Sequence, residues 1–346
     1  MWNLGKLTNT VQHNCHISDA QHAGDFTLCI YLLRMREFYR WEHEIPLSGP
    51  LPNDEVGAWL EEREHLWDEL ASSPFEPLPL DTVLVDPFDS VAINRELAPR
   101  GYIYSAGYGR YNKPHFFLGA LARAETRSGF AVYTSSCEYA RDLVAPPAML
   151  QDRNIFVCRE SVRRFLWEKI EEWRWNRKNE AMGRALAESG VDTELHRGLE
   201  RMTDEQTESM ILHELGEGMA GALLGADWNA MLLTLSRSKA EIMARAVRDL
   251  LADCLSTLPV LLDNGNAAAL HFYFATFSGM RRHLYPEVLE AYRLWASAHD
   301  PQPLRRAIDD GADRWLTAAR AILDLHRRTG SLAGDAIENL LEAAPY

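Results

Sequence analysis

Phe130-Ala-Val-Tyr-Thr134, preceded by the turn-forming Thr126-Arg127-Ser128-Gly129, decides the fold class, because it sets β-branched and aromatic residues behind a hairpin signal. Similar short runs flank it: Thr82-Val-Leu-Val85, Tyr102-Ile-Tyr104, Phe116 to Ala122 and Asn154-Ile-Phe-Val157, separated by Gly, Pro and Asn. They predict a small antiparallel sheet between Pro74 and about Arg159.

On either side the spacing is helical. Ser18-Asp19-Ala20-Gln21 has the spacing of a capping box and predicts a helix from Ser18 to about His43. Residues Phe26 to Met35 are apolar almost all round, which predicts that this helix is buried. A second helix is expected from Asp54 to about Ser72, with Val56, Trp59, Leu60, Leu66 and Leu70 as its apolar stripe. After the strands, Val162, Phe165, Leu166, Ile170 and Trp173 stripe one helix, and others are expected near 203–225, 227–258, 266–298 and 302–328. The expected fold is mainly α, an α-helical bundle with a small antiparallel β insertion, and α+β overall. Residues 1–158 form the N-terminal helical region, with the insertion at about 80–158, and residues 159–346 form the C-terminal bundle.

Composition narrows the function. The chain of 346 residues carries 36 basic and 50 acidic residues, a net charge of -14 that repels phosphate backbones, so nucleic acid is not an expected partner. No segment approaches the roughly 18 uninterrupted apolar residues of a membrane helix, and Met-Trp-Asn-Leu-Gly-Lys-Leu lacks the basic-then-apolar pattern of a signal peptide. No membrane association and a cytoplasmic address are therefore expected. Five scattered cysteines argue for free thiols in a reducing compartment.

Ile211-Leu-His-Glu-Leu-Gly-Glu-Gly-Met-Ala220 carries the sharpest chemical signal. On a helix, Glu217 lies about 40° and Glu214 about 100° from His213, so the three side chains fan across one face. Over these five positions the pattern resembles the His-Glu-x-x-His helix of zinc metallopeptidases, with Glu217 where that family has its second histidine. The resemblance implies a divalent metal ion held by His213 and Glu217, with Glu214 as ligand or general base; a carboxylate ligand suits iron or manganese as well as zinc. Ile211, Leu212, Leu215, Met219, Ala222 and Leu223 stripe the other side, which would leave the acidic fan in water. Against that, Gly218 to Gly225 is small or apolar on every side, and the glycines at 216, 218, 221 and 225 suggest close approach of another backbone or a ligand. Asp249, Asp253, Glu241, His271 and His283 are candidates to complete the site, His271 being better suited to a hydrogen-bonded core position.

A second cluster runs His13-Asn-Cys15-His16-Ile-Ser-Asp19-Ala-Gln-His22-Ala-Gly-Asp25. If it leads into a helix N-terminus, Cys15 is a candidate nucleophile. Alternatively His13, His16, His22 and Asp25 bind a metal, with Asp25 as a ligand or as the partner that orients His22, or the segment is a solvated approach to the helix. The basic and aromatic Arg163 to Lys178 stretch reads as an ordinary amphipathic helix, and the Tyr104 to His115 loop, with Arg110, Lys113 and His115, as a connection that would have to meet an anionic substrate to be functional. The expected function is a metal-dependent enzyme, hydrolase or oxidoreductase, acting on a small-molecule substrate; the alternatives are a non-catalytic scaffold and a Cys15-dependent enzyme.

Overall fold

The computed structural model describes residues 3–109, 112–235 and 237–343. Its order of elements is α1 (Leu4–His22), α2 (Leu28–Glu42), α3 (Asn53–Leu70), β1 (Leu78–Leu80), β2 (Val83–Val85), α4 (Ser90–Leu97), β3 (Tyr102–Tyr108), β4 (Pro114–Arg127), β5 (Phe130–Arg141), β6 (Ala148–Gln151), β7 (Asn154–Cys158) and α5 (Arg159–Trp175). Helices follow: α6 (Glu180–Ser189), α7 (Leu195–Leu224), α8 (Ala226–Thr234), α9 (Lys239–Ala252), a π-helical turn (Asp253–Thr257), α10 (Leu258–Asp263), α11 (Ala267–Thr276), α12 (Gly279–Leu284), α13 (Pro286–Ala298), α14 (Gln302–Thr329) and α15 (Gly334–Ala343). The class is α+β. The β component exceeds a small insertion in an α bundle: five strands pair in the order β3-β4-β5-β7-β6, and β1 pairs with β2 in a separate hairpin. Length explains the difference, since β4 and β5 are 14 and 12 residues long and continue through polar stretches that carry no apolar signal. No described helix is long and apolar enough to cross a membrane.

The chain divides into two compact units, the first being Met1–Glu125, Val132–Pro147 and Phe156–Trp167, the second Thr126–Ala131, Ala148–Ile155 and Glu168–Tyr346. In the first, β3 and β4 are antiparallel in a register running from Tyr102↔Ala120 to Tyr108↔Pro114. Leu7, Val11 and Cys15 of α1 pack with Leu78, Ile93, Tyr104 and Phe116 in one core. Met35, Phe38, Trp67 and Leu143 form another.

The first helix is not the one the capping-box spacing suggested. Helix α1 begins at Leu4, where the Asn3 side chain accepts from the Lys6 amide at 3.0 Å, and ends before a tight turn at Ala23–Asp25. Ser18 lies inside it and donates its hydroxyl to the Pro114 carbonyl at 2.5 Å instead of capping. The apolar run from Phe26 is likewise not enclosed: Leu28, Cys29, Ile30, Leu32 and Leu33 of α2 are exposed. In α3 the buried apolar anchors are Trp67 and Leu70, while Val56, Trp59, Leu60 and Leu66 are half-buried.

In the second unit, the β4–β5 connection is a two-residue turn with Ser128 and Gly129 at φ 49° and 80°, the left-handed pair that a type I′ hairpin requires. Helix α7 packs against α9, the π-turn, α6, α11 and β6. The helix expected at 227–258 is divided, α8 ending at Thr234 and α9 beginning at Lys239, with Ser238 capping α9 by accepting from the Glu241 amide. The π-turn precedes Pro259, whose missing N–H withdraws one donor from the helical ladder, a condition that favours a local widening. The stretch expected as one helix at 266–298 is three, α11 to α13, with a break on each side of α12.

Candidate active site

Helix α7 can approach α9 closely because residue 216 has no side chain: a Cβ there would lie 2.3 Å from the Ala252 carbonyl oxygen. Gly218 likewise accommodates the Phe130 ring, which a Cβ would meet at 2.4 Å. Gly225 adopts φ 76° at the helix end, while nothing in the structure explains Gly221. With the two backbones in contact one turn away, His213 meets Asp253, the first residue of the π-turn. Its Nδ1 lies 2.8 Å from Asp253 Oδ1.

Asp253 is enclosed and fully engaged. Its Oδ2 accepts from the Tyr273 hydroxyl at 2.7 Å and from Arg281 Nη1 at 3.0 Å. Burial by itself would raise this carboxyl's pKa, but the charges of His213 and Arg281 and the hydrogen bonds hold it below the usual range. The His213 ring keeps 30% of its side-chain surface exposed, and its Nε2 lies 3.8 Å from Glu217 Oε1. Glu217 also accepts from Arg248 Nη2 at 2.9 and 3.1 Å. Burial would lower the His213 pKa; the ion pair with Asp253, aided by Glu217 and Glu214, overrides it and raises the pKa to about 10. The imidazole is therefore a cation at neutral pH, held in one orientation.

Glu214 behaves oppositely. Burial raises its carboxyl to about 7, and the negative charges of Glu217 and Asp249 add to the effect while His213 and Arg248 oppose it. Asp249 is also raised, by burial first and then by Glu217. One turn of α7 thus carries a fixed imidazolium beside a carboxyl that changes ionisation near neutrality. Groups whose environments push their pKa values apart are the raw material of acid–base chemistry.

The acidic face of α7 is covered only in part in its second half, where Ala220 and Leu224 are buried and Gly221 is exposed, and the stripe expected on the other side is exposed at Met219, Ala222 and Leu223. Of the additional candidates, Asp253 joins His213. Glu241 serves the start of α9, accepting from the Arg237 amide and from Arg245 Nε. His271 is buried against Tyr292, whose hydroxyl lies 2.8 Å from its Nδ1, and burial lowers its pKa to about 4, as suits a core histidine. His283 sits in the last turn of α12.

The N-terminal candidates belong to the first unit. His22 and Asp25 form a pair, Nδ1 to Oδ2 at 2.9 Å. His16, six residues earlier and so on another face of α1, points elsewhere. Its Nε2 is 2.7 Å from Arg63 Nη1, the Trp67 indole donates to its Nδ1 at 3.4 Å, and Arg63 also binds Glu42. Burial and the Arg63 charge lower the His16 pKa to about 3, so it is a neutral acceptor for a guanidinium. The shared shell of His16, His22 and Asp25 is therefore not assembled. Cys15 is the clearest correction. It lies in the middle of α1, far from the positive helix end, its thiol donates to the Phe116 carbonyl at 3.3 Å, and burial pushes its pKa well above the usual thiol value. Among the described residues, no three His, Cys, Asp or Glu side chains are placed to share one ion.

What sequence reading underrated is the buried ion network of the first unit. Lys113 Nζ lies 2.8 Å from Asp19 Oδ1 and donates to Ser18 Oγ at 3.0 Å; His115 Nδ1 lies 2.7 Å from Asp142 Oδ2, and Asp142 Oδ1 accepts from the amides of Val144 and Ala145. Lys113, Asp19, His115 and Asp142 are all buried, and a Cβ at Gly109 would strike the His115 ring at 2.4 Å, so no room is left for a substrate on Nε2. This network clamps α1 to the sheet. Arg110, the other basic residue of that loop, lies outside the described residues.

Residues 6–158 match the model of the N-terminal domain, and residues 163–344 that of the C-terminal domain, of a family of unknown function (DUF6866). The chain belongs to the DUF6866 family. Its C-terminal family domain contains every residue of the His213 centre, and its N-terminal domain contains the Lys113 network. No curated protein and no solved structure matches the chain.

Proposed function

We propose that this DUF6866 protein is an enzyme whose active site is the His213 centre, with Glu214 as its proton-transfer group. The observation that carries the reading is His213 fixed by buried Asp253 at 2.8 Å with Glu214 on the same helical turn, where burial pushes the Glu214 carboxyl up to about 7. In a hydrolytic reaction on a small molecule, ionised Glu214 would take a proton from water as the water oxygen bonds to the electrophilic centre, and the His213 imidazolium would stabilise negative charge developing on the substrate oxygen. Glu214 would then return the proton to the leaving group as the scissile bond breaks. The test is a panel of ester, amide and phosphoester substrates assayed with native protein and with Glu214→Gln. Turnover lost in the variant, with its fold retained, supports the assignment. Equal turnover by the two proteins refutes it.

A metal-dependent version is favoured by one specific feature. Asp253 engages Nδ1 and leaves Nε2 turned towards Glu217, which is how a carboxylate orients a metal-ligating histidine. Here zinc, iron or manganese would be held by His213 and Glu217, and binding would expel the proton that keeps His213 cationic. Elemental analysis of native protein and of a His213→Ala, Glu217→Ala double variant decides it. A stoichiometric ion lost in the variant supports the metal version, and none in metal-replete native protein rejects it.

A further inference from the structure

The first unit carries a second feature that the His213 chemistry does not use. Between the end of α1, the Ala23–Asp25 turn, α2 and α3 lies an open hollow of about 440 Å³. Ala23, Phe26, Tyr31 and Trp67 line it, with Leu28, Glu64 and Asp68 also at its walls. Tyr31 donates its hydroxyl to Glu64 Oε1 at 3.0 Å, joining the α2 and α3 walls. The apolar surface continues along α2 through Leu28 and Leu32, exposed by 70% and 40%, whereas Ile30 and Leu33, also exposed, turn about 200° and 140° away from Leu28. Leu28 and Leu32 are four apart and so lie on one line of the helix. On α3, Glu61, Glu64 and Asp68 are exposed at spacings of three and four, which sets an acidic ridge on one side of that helix. Arg63, which could offset the ridge, is instead turned inward to Glu42 and His16.

From this arrangement we infer that the α2–α3 groove docks a basic amphipathic helix of a partner protein, its apolar stripe on Leu28, Tyr31 and Leu32 and its lysines or arginines against Glu64 and Asp68. Charge selects this occupant. An anionic lipid surface would be repelled by the ridge, and a second copy of this chain, with a net charge of -14, is itself acidic and a poor electrostatic match for it. Leu32, one helical turn beyond Leu28, extends the apolar lining of the hollow along the helix axis, a shape that suits a helix better than a small ligand.

The test uses the full-length protein and two fluorescein-labelled peptides of about 18 residues, one with leucines on a helical stripe and lysines elsewhere, the other with glutamates replacing the lysines. Anisotropy titrations are run on native protein, Glu64→Gln with Asp68→Asn, Leu28→Ser, and a control, Glu180→Gln with Glu194→Gln. The control removes the same charge from exposed positions of the other unit. The expected result is binding of the lysine peptide, weakened at least fivefold by either groove variant and unchanged in the control, with no binding of the glutamate peptide. No binding, or equal weakening in the control, overturns the proposal. So does concentration-dependent self-association by sedimentation that Leu28→Ser abolishes, because it assigns the groove to a second copy.

Discussion

Replacing Glu214 with glutamine should stabilise the protein, and only at the alkaline side of neutrality. The folded-state carboxyl is raised from 4.5 to about 7, by burial first and by Glu217 and Asp249 next. A group whose pKa is raised on folding contributes stability that is fully present below its unfolded value of 4.5 and is lost as pH rises through about 7. That rise corresponds to about 3 kcal/mol between the two protonation states. Glu214 retains part of its surface in solvent, and its ionisation is shared with its neighbours, which reduces the expected effect to about 1–2 kcal/mol. Glutamine keeps the shape and cannot ionise. Urea unfolding followed by circular dichroism at pH 4.5, 6, 7 and 8 should show Glu214→Gln matching the native protein at pH 4.5 and exceeding it by about 1–2 kcal/mol at pH 8. A difference independent of pH, or a loss of stability at pH 8, would refute the reasoning, because it would mean that Glu214 ionises normally or that its charge is needed by the fold.

Further expectations follow from the same contacts. His213→Ala leaves buried Asp253 with Tyr273 and Arg281 alone and should cost about 2–3 kcal/mol. With the His213 pKa raised from 6.5 to about 10, that cost should be largest at and below pH 6.5 while Asp253 stays ionised, and should shrink as pH approaches 10, as measured by urea unfolding across the range. Gly216→Ala drives a Cβ into the Ala252 carbonyl and should destabilise by about 1–3 kcal/mol, whereas Gly221→Ala meets nothing and should stabilise by up to about 1 kcal/mol; thermal melts of the pair with opposite signs check the packing. Iodoacetamide at pH 7.5 followed by peptide mass mapping should label exposed Cys29 first and leave Cys15, Cys158 and Cys254 protected. Early labelling of Cys15 would contradict its burial.

Residue patterns within one segment were readable in the sequence because they depend on neighbours along the chain. The strands around Phe130, the Ser128-Gly129 hairpin, the stripe of Val162, Leu166 and Ile170 in α5, and the helical context of His213, Glu214 and Glu217 are all of this kind. Glycine on α7 also signalled a close backbone approach, which Gly216 makes. Other features depend on what meets what. The apolar run at the start of α2 satisfied every local rule for a buried helix, yet no described element covers Leu28 or Leu33. Ser18 had the spacing of a cap, but Asn3 caps α1, so Cys15 and His16 moved from a helix entrance to a helix interior and changed chemistry. The local pattern set His213 and its two glutamates on one face of a helix; only tertiary packing chose Asp253, forty residues away, as the partner that fixes the imidazole and charges it. Periodicity decides which way a side chain points from its own backbone, whereas a pKa is decided by the charges and burial that other segments bring to it.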